Sequence, residues 1–277
     1  MDISYLFQDT ELPEFEQQPT SVCRLIPGER GNLFTLLYLP GGAGPHPTVL
    51  LAHGYPGCEQ NMDLAQALRR VGFAVMTFHY SGSWGSDGEY ALENCLEDAE
   101  TVLTYLMENR DEWNLDEDRF FMVGHSMGAF VTAHMLARYG ELRAGVLITP
   151  FDVGRVYLEG RKDPVCRRNL MEVLYCGDGW LRGFSADKLL NELSLHAREY
   201  RLTALCPSLS RKPVLCIGAN RDEAAPVALH CYPLCEAMEK GGARQFFYEE
   251  FCTDHTLASR RIILCRDVAE FLLRYLP

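Results

Sequence analysis

The sequence predicts an α/β fold in which a mostly parallel central sheet is flanked by helices. Strand-like and helix-like segments alternate between residues 48 and 148, and the alternation resumes near residue 213. Strands that follow one another through helical crossovers lie parallel in a sheet. Several of these strands are continuous apolar runs, which fit a sheet covered by helices on both faces. The chain has 277 residues and 47% hydrophobic content, enough to bury one large core.

The individual elements follow from local patterns. Residues 1–30, with Pro13, Pro19 and Pro27, are expected to supply an edge strand or an arm over the sheet. Segments 33–39 and 48–52 flank a Gly/Pro-rich turn and are expected to form a hairpin. The remaining predicted strands are 73–78, 120–123, 144–148, 214–217 and 245–250, and the predicted helices are 61–71, 91–109, 127–139, 227–240 and 259–275.

The alternation stops at Pro150, and no clear buried strand follows until residue 213. The intervening sequence is rich in charges and contains short helical pieces at 169–175 and 186–195. We therefore predict one core domain formed by residues 1–149 and 206–277, with residues 150–205 inserted as a partly helical cap.

Charge and hydropathy exclude several classes of function. The formal net charge is −12, whereas a nucleic-acid-binding surface needs clustered Lys and Arg. No apolar run approaches the roughly 18 residues that cross a bilayer, and residues 1–16 lack a basic start and an apolar core. We expect neither nucleic acid nor membrane as a partner, and a cytoplasmic location.

The eleven cysteines are scattered and odd in number, which favours reduced thiols over a disulfide framework. The pairs Cys231/Cys235 and Cys166/Cys176 lack the further close ligands of a structural zinc site. No P-loop is present, and no GxGxxG sequence opens a helix after a strand. The sequence therefore implies no metal, nucleotide or flavin cofactor.

A GxSxG sequence, Gly124 to Gly128, lies between an apolar strand and an amphipathic helix. A sharp turn from strand to helix strains the central residue and exposes its side chain, and glycines on both sides make room for the turn. Ser126 would then lie beside a helix N-terminus, where developing negative charge is stabilised. This context indicates that Ser126 is a nucleophile, with a tight turn carrying an idle serine as the alternative.

A serine needs a histidine base to become nucleophilic, and the chain order Ser, acid, His leaves two candidates. His230 is predicted on a helix that points it away from the strand ends. His255 follows the strand at 245–250 in a loop, from which it can reach across the edge of the sheet. We therefore predict His255 as the base; the alternative is a solvent-exposed loop histidine.

The acid that orients His255 is expected in the loop after strand 214–217, because ligands collect at the carboxyl ends of parallel strands. Asp222 is the predicted acid. Glu223 and Asp254 are its competitors: the first is adjacent but expected to turn outward, and the second is too close in sequence to His255 for easy support. The alternative for all three is a solvated surface carboxylate.

Acyl transfer also needs N–H donors for the oxyanion. One is expected from the Met127 amide, directly after the nucleophile. The second is expected from the Gly-rich loop after strand 48–52, and there Tyr55 is predicted because Pro56 has no N–H. The alternative is a plain turn in which Tyr55 only packs.

Together these sequences resemble those of α/β-hydrolase-fold serine hydrolases from about residue 33 onward. The resemblance rests on His53-Gly54, the Gly124–Gly128 turn, the loop from Asp222 to Pro226, the late Asp254-His255 and the Tyr80–Gly88 segment. The bacterial esterase and acyl-peptidase-like branch is most similar. The chain departs from this branch in having Ala129 where a glycine is common and Ser81 where an arginine is common, which weakens any transfer of substrate preference.

The resemblance implies hydrolysis of carboxylic esters of small or medium size through an acyl-enzyme on Ser126. A serine peptidase or amidase on the same three residues is the first alternative. A non-catalytic binding module on the same fold is the second, because fold alone does not establish activity. The oligomeric state is not predicted.

Substrate choice is expected to depend on the cap. An apolar acyl pocket could be lined by its aromatic residues Tyr157, Tyr175, Trp180 and Phe184, although such residues also serve simply as packing. A basic cluster could recruit a carboxylate-bearing substrate or could form a solvated face of the cap; its members are Arg155, Arg161, Lys162, Arg167 and Arg168.

Overall fold

The computed structural model describes residues 1–9 and 17–276, and within them eight strands form one sheet. The strand order is β1-β2-β4-β3-β5-β6-β7-β8. The strands are β1 Thr20–Gly28, β2 Gly31–Leu39, β3 His46–Ala52, β4 Ala74–Phe78, β5 Leu115–His125, β6 Leu142–Ile148, β7 Val214–Ala219 and β8 Phe246–Phe251.

Ten α-helical segments connect or flank these strands in the described part of the chain, together with 3-10 turns at Ile3–Leu6 and Leu202–Leu205. The helices are α1 Met62–Val71, α2 Leu92–Glu108, α3 Met127–Arg138, α4 Val153–Gly160, α5 Pro164–Tyr175, α6 Ala186–His196, α7 Cys206–Leu209, α8 Val227–His230, α9 Tyr232–Lys240 and α10 Arg261–Leu273.

The sheet is parallel from β4 through β8, and only the pairings of β1 with β2 and of β2 with β4 are antiparallel. Because side chains alternate along a strand, each strand contributes to two cores. Leu50 and Met122 face a core built with α2, α3 and α9, whereas Val49 and Val123 face one built with α1 and α10. The predicted fold class, a mostly parallel sheet between layers of helices, is confirmed.

The predicted hairpin of 33–39 with 48–52 is wrong. β2 pairs with β1 and β4, while β3 lies between β4 and β5 and is parallel to both. The physical reason is burial: every residue of β3 is buried, which requires a position in the middle of the sheet, whereas β2 alternates between buried and more exposed positions. The edge strand expected within residues 1–30 is β1, and Pro13 lies outside the described residues.

Most predicted helices are present, with three differences. The predicted helix 227–240 is two helices, α8 and α9, which meet at Cys231; Pro233 in the first turn of α9 has no N–H to continue the ladder of α8. The predicted piece 169–175 is the second half of α5, which begins at Pro164 behind the N-cap Asp163. The sequence prediction missed α4 and the short α7.

The segment between β6 and β7 carries helices α4 to α7. Each of the three longer helices begins at a side chain that caps its free N–H groups: Asp152 for α4, Asp163 for α5 and Ser185 for α6. Buried leucines of α5 and α6 join the same core as α2 and α3. This segment therefore packs on the same side of the sheet as α2 and α3.

Candidate active site

Ser126 occupies a strained turn between β5 and α3. Its backbone has φ 58° and ψ −119°, a conformation that costs roughly 1–3 kcal/mol for a residue with a side chain. The turn is held from the neighbouring strand, because the Ser126 N–H donates to the Ile148 carbonyl at 2.9 Å. A Cβ on Gly124 would clash with Gly128, and one on Gly128 would clash with the Ala52 carbonyl. These glycines are what allow the tight approach of α3 to β5 and β3.

His255 and Asp222 form a hydrogen-bonded pair. The distance from His255 Nδ1 to Asp222 Oδ2 is 2.6 Å, and the Asp222 side chain is 0% exposed. The other carboxylate oxygen, Oδ1, accepts the Ala225 N–H at 2.7 Å, so the carboxylate cannot turn away. With its proton on Nδ1, the imidazole presents a lone pair on Nε2, as a general base requires.

The competing carboxylates occupy different places. Glu223 is exposed. Asp254 is held by its own loop, because it accepts hydrogen bonds from the Thr256 hydroxyl at 3.1 Å and from the Ala258 amide at 2.8 Å. The Ala258 N–H is the largest cause that lowers the pKa of Asp254.

The other candidate histidine, His230, is committed elsewhere. Its Nδ1 accepts the Asp152 N–H at 2.8 Å, and its ring stacks on Phe151 with centroids 4.8 Å apart. Burial lowers the pKa of His230 to about 3. It therefore contributes to packing beneath the cap as a neutral imidazole.

Two residues that sequence reasoning missed hold the backbone of His255. Thr149 Oγ1 donates to the His255 carbonyl at 3.1 Å, and His125 Nε2 lies 3.0 Å from the same oxygen. Burial lowers the pKa of His125 to about 4, so this ring stays neutral at pH 7. The position of His125, a polar residue at the end of a central strand and next to Ser126, was the feature of the sequence that could have indicated its role.

The loop after β3 runs directly against the nucleophile. A Cβ on Gly54 would lie 3.0 Å from the Ser126 Cβ. The backbone of this loop therefore lies so close to Ser126 that a side chain at position 54 would crowd it. Tyr55 follows Gly54, and both Tyr55 and Met127 line the same cavity as Ser126 and His255. The structure thus places both proposed oxyanion residues at one cavity.

This cavity has a volume of about 170 Å³. Apart from the residues already described, its walls are almost wholly apolar: Pro56, Leu92, Phe151, Val153, Leu170, Val173, Leu174, Cys176, Leu189, Leu193 and Ala224. Leu170 and Leu174 are one turn apart on α5, and Leu189 and Leu193 are one turn apart on α6. This spacing places the leucines of each pair on one face of their helix, so the sequence could have indicated which cap residues line the cavity.

Two solved structures of esterases are similar to this structure over most of the chain. An esterase from Pyrococcus furiosus has a TM-score of 0.67 at 18% identity, over 94% of this chain and 92% of that one. A thermostable carboxylesterase cloned from a metagenomic library has a TM-score of 0.69 at 18% identity, over 99% and 93%. The chain has the α/β-hydrolase fold. At the level of the fold, the resemblance inferred from its motifs is confirmed.

Other comparisons of this α/β-hydrolase-fold protein cover less of it or of the relative. The family described as serine aminopeptidase, S33, matches residues 43–172. An acylaminoacyl peptidase from Pyrococcus horikoshii has a TM-score of 0.70 at 17% identity, over 94% of this chain and 42% of that one. Two Escherichia coli proteins, each described as an uncharacterized 31.7 kDa protein in the traX-finO intergenic region, are 25% identical over 138 residues. That match spans 49% of this chain and 48% of theirs, about half of each relative.

The four predicted aromatic residues of the cap are not among the residues that line the cavity of this α/β-hydrolase-fold protein. Tyr175 and Trp180 are 57% and 65% exposed, and Trp180 stacks on Trp84. Tyr157 and Phe184 pack against the core from partly buried positions. The sequence analysis predicted aromatic side chains of the cap as the walls of the pocket, whereas the cap contributes mostly aliphatic side chains to the cavity.

Phe184 acts on the site indirectly, through Tyr55. Its ring lies 5.8 Å from the Tyr55 ring, and the Tyr55 hydroxyl donates to the Leu174 carbonyl at 2.5 Å. Burial raises the pKa of Tyr55, which keeps this hydroxyl protonated as a donor. The cap of the hydrolase fold is thereby tied to the loop that carries the second proposed oxyanion amide.

Four members of the basic cluster lie on the surface of the cap, whereas Arg155 is half-buried. Arg161, Lys162, Arg167 and Arg168 are exposed, and Lys162 pairs with Glu159 at 3.5 Å. No member of the cluster is among the residues lining the cavity. Recruitment of a carboxylate by this cluster stays a prediction.

Within residues 1–9 and 17–276, no three or more His, Cys, Asp or Glu side chains converge in a way that could hold a metal ion. In the same residues, no helix combines the length and the apolar character needed to cross a bilayer.

Proposed function

We propose that this protein is a serine hydrolase that cleaves carboxylic esters through an acyl-enzyme on Ser126. The observation that carries the proposal is the buried Asp222 hydrogen-bonded to His255 at 2.6 Å, with His255 and the strained Ser126 lining one cavity. The chain order of Ser126, Asp222 and His255 and the cavity that Ser126 and His255 share support the roles of nucleophile, acid and base.

In the proposed reaction, His255 Nε2 takes the proton from Ser126 Oγ as that oxygen attacks the ester carbonyl carbon. The tetrahedral intermediate collapses when the bond to the alcohol oxygen breaks and His255 returns the proton to that oxygen. Water, deprotonated by His255, then attacks the acyl-enzyme. The bond between the acyl carbon and Ser126 Oγ breaks, His255 returns the proton to Ser126 Oγ, and the carboxylic acid is released. Asp222 holds the orientation of the ring and stabilises the imidazolium.

The oxyanion is proposed to accept hydrogen bonds from the amides of Met127 and Tyr55. Met127 is the first residue of α3, where N–H groups are free and the helix dipole is positive. Loss of one such donor typically costs about 10²–10³ in kcat.

The walls of the cavity support ester over aminopeptidase chemistry. An aminopeptidase must bind the α-ammonium of its substrate, and a carboxylate near the nucleophile is the usual partner for a cation. The described residues that line the cavity include neither Asp nor Glu, and most are aliphatic. An uncharged acyl group fits these walls better than a charged amino terminus.

The test is hydrolysis of p-nitrophenyl esters by the wild type, Ser126→Ala and His255→Asn, with His196→Asn as the matched histidine control on the surface of α6. We expect Ser126→Ala and His255→Asn to lower kcat by about 10³-fold or more, and His196→Asn to retain activity. A chelator is expected to leave the wild-type rate unchanged.

Two arms address the alternatives. Aminoacyl p-nitroanilides cleaved faster than any ester would move the assignment to a peptidase. The wild type could instead cleave no substrate, with no labelling of Ser126 by a fluorophosphonate probe. That outcome would favour a non-catalytic binding module over an enzyme.

A cytoplasmic location is part of the proposal. All eleven cysteines carry free thiols in the structure, and six of them are exposed or partly exposed. Such thiols are kept reduced in the cytosol, which supports this location.

A further inference from the structure

The cavity beside Ser126 is a small, partly open apolar site. Its volume is about 170 Å³, and an apolar protein cavity of about 150 Å³ is known to accommodate one benzene molecule. A group with about six carbon atoms therefore fills it. On the same scale, a fatty-acyl chain of about 16 carbons needs nearly three times this volume.

The cap supplies the wall that sets this size. Leu189 and Leu193 on α6 both line the cavity, and both are almost fully buried. Val173 lines it from α5 and is only half-buried, so it stands at a more open part of the wall.

The chemistry of the walls selects an uncharged group. A buried charge without a partner costs several kcal/mol, and no Lys, Arg, Asp or Glu is among the described residues lining the cavity. An apolar acyl chain gains free energy with each methylene it buries, which corresponds to about a fourfold gain in binding per carbon.

From this size and chemistry we infer that the site takes the acyl part of an ester of about six carbons, with Leu189 and Leu193 of the cap setting the limit. The inference rests on the proposed ester hydrolysis. The preferred substrates are medium-chain esters, such as hexanoates, and phenyl-sized acyl groups compete for the same space.

The measurement is kcat/KM for p-nitrophenyl acetate, butyrate, hexanoate, octanoate, decanoate and phenylacetate. For the wild type we expect a rise of several-fold per added carbon up to about hexanoate, followed by a fall. Leu193→Ala opens the wall and is expected to move the optimum to octanoate or longer. Val173→Phe fills the cavity and is expected to move the optimum to butyrate or shorter.

The matched control is Leu195→Ala, which removes a leucine from the same helix at a position that is 76% exposed. It should keep the wild-type profile. Circular dichroism and a thermal melt establish that each variant is folded; if Leu193→Ala does not fold, the opposite shift in Val173→Phe carries the test.

The outcomes separate the two proposals. An active enzyme whose optimum is decanoate, or whose profile is unmoved by both cavity variants, overturns the inference and leaves ester hydrolysis standing. A wild type inert on every ester overturns the proposed function itself.

Discussion

His255 is held from two directions, through its ring by Asp222 and through its carbonyl by Thr149 and His125. The two kinds of contact have different consequences. In the proposed mechanism the ring contact selects the tautomer of His255 and stabilises the imidazolium, whereas the carbonyl contacts only place the loop. We therefore expect the charge of Asp222 to affect catalysis and the charges of Glu223 and Asp254 not to affect it.

We predict that Asp222→Asn lowers kcat by about 10³–10⁴-fold, because an amide in this position favours the wrong tautomer of His255. Glu223→Gln and Asp254→Asn are matched controls, since each removes one carboxylate from the same two loops. Both should retain kcat within about threefold. Steady-state kinetics on a p-nitrophenyl ester provide the measurement, and a loss in either control equal to that in Asp222→Asn would reassign the acid.

At the scale of elements, the cap and the loop after β3 form one unit. The Tyr55 hydroxyl bonds to the end of α5, and its ring packs against Phe184 of the cap and against Tyr90. The position of the Tyr55 amide thus depends on the cap. A change in the cap is therefore expected to shift the Tyr55 amide at the proposed oxyanion site even where the changed residue does not contact the substrate.

We expect Tyr55→Phe to lower kcat about tenfold with a smaller change in KM, since the loop loses its anchor while the apolar walls are kept. Tyr90→Phe is the control, because it removes a hydroxyl from the ring beside Tyr55 and keeps the stacking. Equal kcat values for the two variants would show that the bond to Leu174 does not position the loop.

The loop between β4 and α2 depends on a buried carboxylate of α2. Asp98 accepts the Ser81 N–H at 2.6 Å and the Ser81 hydroxyl at 2.9 Å. Burial nevertheless raises the pKa of Asp98 to about 6. The folded state therefore binds this proton more tightly than the unfolded state, and the ionised carboxylate destabilises the fold above pH 6.

It follows that Asp98→Asn should raise the free energy of unfolding by about 1–2 kcal/mol at pH 7.5. Asparagine can still accept the Ser81 N–H and can donate to the Ser81 hydroxyl. The gain should shrink by pH 5, where the wild-type carboxyl is already protonated. Urea unfolding at the two pH values is the measurement, with Glu108→Gln, an exposed position of α2, as the control. A variant less stable than wild type at pH 7.5 would contradict this account.

For the whole molecule, buried histidines dominate the response to acid. Burial lowers the pKa values of five of them from 6.5 to about 3 or 4: His53, His79, His125, His134 and His230. The unfolded chain takes up these protons near pH 6.5 and the folded chain does not, so stability is lost as the pH falls from 6.5 towards 4. Asp98 and Asp152, whose pKa values burial raises to about 6, act in the opposite direction.

Five histidines outweigh two carboxylates, so the melting temperature should fall steeply between pH 7 and pH 5. His134→Leu should flatten that fall, because it removes a buried imidazole whose Nε2 has no hydrogen-bond partner in the described structure. His196→Gln, a half-exposed position on α6, should leave the slope unchanged. A melting temperature that is constant or rises towards pH 5 would refute the prediction.

Local patterns were sufficient for much of this protein. The apolar runs of the central strands, the period of α2 and the Gly124–Gly128 turn depend on neighbours in sequence, and the fold class followed from them. The residues nominated as nucleophile, acid and base also came from local context, and the structure brings Asp222 and His255 into contact.

Tertiary structure alone decided features that join distant segments. The position of β3 between β4 and β5 depends on burial of a whole strand, which the turn at its start does not reveal. The carbonyl of His255 meets His125, 130 residues earlier in the chain. The cavity is walled by leucines because two cap helices turn their i, i+4 pairs inward, whereas the more conspicuous Tyr175 and Trp180 face outward. Sequence shows which residues can do chemistry or fill a wall; only the packing of helices and loops determines which of them meet.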